Sequence, residues 1–148
     1  MNLIEKEILI ERLVGETWAL YQLSVIGAMI TAKSLAMPTL IVVSKGVRYA
    51  GRFIVSQKYG FRPTIIMNSA YITNDDITNL EETIAHELAH HIQWHLFPKA
   101  KQWHGVKFRF IMGAIGYDGN TYHYMSVRKA KETAIADRKS MDDSLFPL

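Results

Sequence analysis

His86-Glu87-Leu88-Ala89-His90 is the segment of this 148-residue chain whose residue types and spacing could do chemistry. On a helix, His86 and His90 are separated by about 40° in azimuth and about 6 Å in rise, so both imidazoles can reach one ion. Glu87 stands about 60° further round than His90. From there its carboxylate can take a proton from a water on the ion without ligating the ion itself, which is the placement of a general base. Zinc is the expected ion, and the reaction such a site implies is peptide hydrolysis by a metal-activated water.

A catalytic zinc takes three protein ligands and keeps a fourth position for water, so two histidines are not enough. The metzincin pattern needs Gly at 93 and His at 96, whereas this chain has Gln93 and Leu96. A glutamate from a later helix is a second solution, and Glu132 is the only glutamate downstream. His104 is the better candidate. Pro98 breaks the motif helix, residues 91–103 give the chain length to return over it, Gly105 would permit close helix approach, and Phe108 lies one turn beyond on the same face. His91 and His95 share the motif helix at the same four-residue spacing and are the rival ligands. Their direction along the helix favours a structural or supporting role. Tyr122 and His123 are candidate donors to the tetrahedral oxyanion, although no sequence feature positions them.

The elements that must carry these residues are read from periodicity and punctuation. Apolar residues at Ile4, Ile8, Leu13, Trp18, Tyr21, Val25 and Met29 predict one long or broken helix from Leu3 to about Leu35, weakened at Gly15 and Gly27 and closed by Met37-Pro38. Three β-type runs follow, at Thr39 to Ser44, Ala50 to Gln57 and Pro63 to Asn68, with turn chemistry at Lys45-Gly46 and Tyr59-Gly60. They predict a small antiparallel three-stranded meander. Thr73 to Asp76 offers caps for a helix from about Asp76 to Leu96 with a buried stripe of Ile77, Leu80, Ile84, Leu88 and Ile92. A short helix is expected from Trp103 to Gly116, then a strand at Tyr122 to Val127 and a polar helix at Arg128 to Met141.

Composition is that of a soluble globular chain, 49% apolar and 21% charged, of single-domain size. With no cysteine, disulfides, thiolate zinc sites and cysteine nucleophiles are excluded. Acidic and basic residues near the start argue against a secretory signal, and the apolar stretch from Ala19 to Ile30 is too short to span a bilayer. A cytoplasmic protein with no membrane partner is expected. The net charge of +3 is compatible with nucleic acid without requiring it.

His86-Glu87-Leu88-Ala89-His90 followed by His104-Gly105-Val106-Lys107-Phe108 and Met112 resembles the SprT-like metallopeptidases, the group that includes Spartan. The likeness extends to Ala50-Gly51-Arg52, to Ile65-Ile66-Met67-Asn68 and to Glu82-Thr83, and covers roughly residues 15–116. It implies that His86, His90 and His104 hold one catalytic zinc, that Glu87 is catalytic, and that the fold is α+β and zincin-like, the small sheet packed against the N-terminal helix and the motif helix. Residues 117–148 are a tail of uncertain role. Many relatives carry a four-cysteine zinc ribbon and a long regulatory tail. Neither is expected here, so contacts made by those parts are not carried over.

The leading expectation is a zinc endopeptidase acting on a protein or peptide, with proteins held on single-stranded or damaged DNA as a candidate substrate class. The substrate is expected to add as an extended strand to a sheet edge. Lys99, Lys101, Lys107 and Arg109 near the motif, and Arg128, Lys129, Lys131, Arg138 and Lys139 in the tail, could face phosphate or form a solvated rim. Trp94 and Trp103 could stack on bases, but amphipathic packing is the plainer role. The rival readings are an ordinary helix with solvated histidines and a nucleic-acid-binding or regulatory module whose zinc site is structural or inactive.

Overall fold

The computed structural model describes residues 1–72, 77–119 and 134–135. Helix α1 (Leu3–Leu23) begins at Asn2, whose side chain accepts the Glu5 N–H. Its inner face is Ile10, Leu13, Val14, Thr17, Trp18 and Tyr21, a spacing of three and four residues. The expected stripe was therefore only half right, since Ile4, Ile8, Val25 and Met29 are exposed. The helix is apolar on more than one side, so periodicity alone cannot say which side faces in.

The helix breaks rather than continuing. The Ser24 hydroxyl bonds the Tyr21 carbonyl (2.7 Å) and accepts the Ile26 N–H (3.3 Å), and α2 (Gly27–Ala32) starts after it. A side chain at Gly27 would run into the Gln22 carbonyl at 1.9 Å, so the corner requires glycine.

Strands β1 (Thr39–Val43), β2 (Gly51–Ile54) and β3 (Thr64–Asn68) form one sheet in the order β1-β3-β2. The antiparallel meander is corrected here: β3 is central, parallel to β1 (Thr39 opposite Thr64) and antiparallel to β2 (Gly51 opposite Met67). All five residues of β3 are buried, as suits a strand with a neighbour on each edge and both faces covered. Asn68 closes the arrangement. It bonds Lys45 through both its oxygen and its nitrogen, at 3.1 and 2.7 Å, and reaches the Tyr49 carbonyl at 3.2 Å, which holds the loop that leads into β2.

Helix α3 (Ile77–Leu96) crosses this layer, and α4 (Val106–Ala114) follows a turn. Ile77 is exposed and drops out of the expected stripe, while Leu80, Ile84, Leu88 and Ile92 are buried. From Thr83 to Gln93 every residue of α3 is buried, so the centre of the motif helix is enclosed on all sides. The Tyr21 hydroxyl donates to the Ala85 carbonyl at 2.8 Å, tying α1 to α3 one residue before the motif. Phe108, Ile111 and Met112 of α4 are fully buried in the same core. The helix caps expected at Thr73 to Asp76, and the strand and helix expected at Tyr122 to Val127 and Arg128 to Met141, lie outside the described residues apart from Ala134 and Ile135. Ala134 is buried with Ala50, Ala70 and Tyr71.

Candidate metal centre

Helix α3 supplies two imidazoles and a carboxylate, and the turn before α4 supplies a third imidazole. After α3 ends, before Pro98, the chain returns through a turn from Gln102 to Gly105, closed by the Gly105 N–H on the Gln102 carbonyl at 3.4 Å. Trp103 and His104 are the two central residues of that turn. Gly105 is the N-cap of α4, and what a side chain there would meet is Gln102, at 2.8 Å, rather than a facing helix.

The three Nε2 atoms converge: His86 to His90 at 3.1 Å, His86 to His104 at 3.2 Å and His90 to His104 at 2.9 Å. Each ring nitrogen presents either a proton or a lone pair. In a triangle at least two must be alike, so one contact always sets proton against proton or lone pair against lone pair. A cation between them resolves the conflict, because all three then present lone pairs to it. Nitrogens on a tetrahedral ion would stand about 3.3 Å apart, close to the spacing found. Burial, then His86 and His104, hold the His90 imidazole far below its usual pKa, in the neutral form that ligates. Among the described residues these three histidines form the one cluster able to hold a metal ion. His104 is exposed, so the cluster is open on its side.

Glu87 is buried beside the cluster, its carboxylate 3.9 Å from His86 Nε2. Burial pushes its pKa up to about 8, against the backbone N–H of Phe53 and the charge of Arg52, both of which favour the ionised form. A cation in the histidine triangle would add to that opposing pull. The pocket for Glu87 is made by close approach of β2: a side chain at Gly51 would lie 3.0 Å from Glu87 Cγ and 2.9 Å from Thr83 Cγ2.

Aromatic rings surround the histidines. Trp103 stacks on His90 with centroids 4.2 Å apart and planes 4° apart, and Phe108 stacks on His90 at 4.6 Å. Phe108 also meets His86 edge-on at 4.8 Å and His104 at 5.0 Å, so one buried ring supports all three. The rivals point elsewhere. His91 Nε2 donates to the Ala36 carbonyl at 2.7 Å, and His95 Nδ1 donates to the His91 carbonyl at 2.9 Å. Glu132, Tyr122 and His123 lie outside the described residues.

Sequence reasoning brought the three histidines together with Glu87 but missed the residues that seat them. Gly51 was quoted only as part of a likeness, although an isolated glycine within a strand signals close backbone approach. Gln93 figured there only as a departure from the metzincin glycine, and Trp103 only as a base-stacking or packing residue, not as a ring against His90.

A mixed α+β unit with a small three-stranded sheet, a three-histidine cluster fit for a metal ion and a buried carboxylate beside it defines the class. The SprT-like family model matches residues 33–129, and the chain belongs to that family. Searches of curated proteins and of solved structures give no match. Among the described residues no helix is long and apolar enough to cross a membrane.

Proposed function

We propose that this chain is a zinc-dependent endopeptidase of zincin-like architecture in which His86, His90 and His104 hold one zinc ion and Glu87 is the general base. The observation that carries this reading is the convergence of three Nε2 atoms within 3.2 Å of one another, with the Glu87 carboxylate 3.9 Å from one of them. Three ligands open on one side suit a catalytic ion better than a structural one, which is closed by four. When bound, zinc supplies positive charge that polarises a carbonyl and makes a water acidic. Glu87 accepts the proton from that water and returns it to the departing amine. Burial and the Phe53 N–H hold the carboxylate in place for both transfers. β2 is the edge strand beside Glu87, and an extended peptide pairing along it would bring its backbone to the site. Tyr122 and His123 remain the candidates for oxyanion donation on sequence grounds.

DNA-held proteins are the proposed substrate class. Lys101 and Lys107 flank a shallow hollow with Ala100, Gln102, Gly105 and Val106 beside the metal-bearing turn, and the half-exposed Trp103 is next to it. Cations interleaved with an exposed aromatic ring suit single-stranded backbone and bases.

The test is zinc stoichiometry with digestion of an unstructured protein. Wild type should bind one zinc and cleave. His104→Ala should lose or strongly weaken the metal, while Glu87→Gln should keep it and lose cleavage. Full zinc retention in His104→Ala would overturn the ligand set, and cleavage by Glu87→Gln would overturn the base. Single-stranded DNA at low salt should stimulate cleavage and added salt should abolish that effect. No DNA effect at low salt removes the DNA part of the proposal.

A further inference from the structure

A buried amide sits on α3 one turn beyond His90. Gln93 is only 1% exposed, and its Nε2 donates to the Gln102 carbonyl at 2.9 Å. That carbonyl is the first of the turn that carries His104, and it also accepts the Gly105 N–H that closes the turn. The Gln93 oxygen has no hydrogen-bond partner among the described residues. A buried amide with one unanswered polar atom costs stability, and Met or Leu would fill the same volume without that cost. What the amide does in return is hold the turn.

We infer that Gln93 is a positioning residue for the metal centre: its amide fixes the Gln102 carbonyl and so sets His104 Nε2 against His86 and His90. The inference rests on the reading of His104 as the third ligand. One helix then controls the whole ligand set, two members directly and the third through the turn that Gln93 holds. The turn is short, with only Trp103 between the held carbonyl and His104, so a change at Gln102 is transmitted to the ligand with little slack. The Trp103 ring, stacked on His90, gives the turn its second point of attachment to α3. His104 itself is exposed, and burial does little to hold it.

The experiment compares wild type with Gln93→Met, which keeps volume and removes the donor. Zinc affinity is measured by chelator competition, and the coordination by the visible spectrum of the cobalt-substituted protein. Affinity should fall on the order of 10- to 100-fold, the usual effect of removing a group that orients a ligand. The cobalt band should lose intensity toward that of His104→Ala. Thermal unfolding of the metal-free protein should show Gln93→Met folded, and Gln93→Leu gives the same readout should Met pack poorly. Unchanged affinity with an unchanged band overturns the inference. So does weakened affinity with the wild-type band retained, because His104 would then still be ligating. Failure of wild type to bind zinc would instead remove the metal reading itself, so the two failures are distinguishable.

Discussion

Glu87 needs room for its carboxylate and a donor to hold it, and both come from three consecutive residues of β2. Gly51 leaves space at Glu87 Cγ, Arg52 lends charge and Phe53 lends its N–H. Gly51→Ala is the sharpest probe of this arrangement. The added carbon would press on Glu87, Thr83 and the Met67 sulfur at 2.9 to 3.0 Å, all side-chain atoms that can shift. The expected cost is about 1–3 kcal/mol of stability. On the proposed function, zinc should be retained and cleavage should fall, since the atoms displaced belong to the proposed base and not to the histidines. Full cleavage by a folded Gly51→Ala protein would show that the position of Glu87 tolerates the crowding. The grouping of His86, His90 and Glu87 was legible in the sequence because helical geometry fixes the relation of positions 86, 87 and 90. The identity of what Gly51 and Gln93 touch was not, because Glu87 lies 36 residues downstream of the one and Gln102 lies 9 residues downstream of the other, and nothing in their immediate neighbours names those partners.

The elements differ in how far their own residues determine them. The end of α3 was readable to the residue, Leu96 in expectation and in fact, because Leu80, Ile84, Leu88 and Ile92 recur at helical spacing and Pro98 marks the stop. α1 was found but rotated, since it carries apolar residues on both faces. The pairing of the sheet was misread, since strand runs carry no signal of which partner they choose, although the unbroken apolar run Ile65-Ile66-Met67 suits a central strand. The way α3 packs also has a pH signature. Burial, outweighing the Ala36 carbonyl, lowers the pKa of His91 from 6.5 to about 4. Below pH 6.5 the unfolded chain therefore binds more protons at this position than the folded one. The stability is present above that pH and is lost as pH falls through about 4. Between pH 7 and pH 5 the loss from this group should be about 2 kcal/mol. Denaturant titrations of metal-free wild type and His91→Gln at the two pH values measure it, because His90 and Glu87 titrate in both proteins and the wild type should lose about 2 kcal/mol more than the variant. An equal slope in that variant would move the effect to another group.

Across the whole molecule, the site joins a local part to a distant one. His86, His90, His104 and Gln93 all fall within 19 residues of chain, and a helix followed by a turn is enough to assemble them. The pocket of Glu87 needs β2, which is in register only when it pairs with β3, and β3 must in turn accept β1 on its other edge. Contacts of that range form late and are lost early. Under heat or denaturant the chain should therefore fail in a set order. The proposed cleavage should be lost when the sheet slips from α3, and the proposed metal binding only when α3 and its turn come apart. A partly damaged molecule of this kind would still hold its ion after it could no longer cut, an inert state that conserves the metal and spares its surroundings.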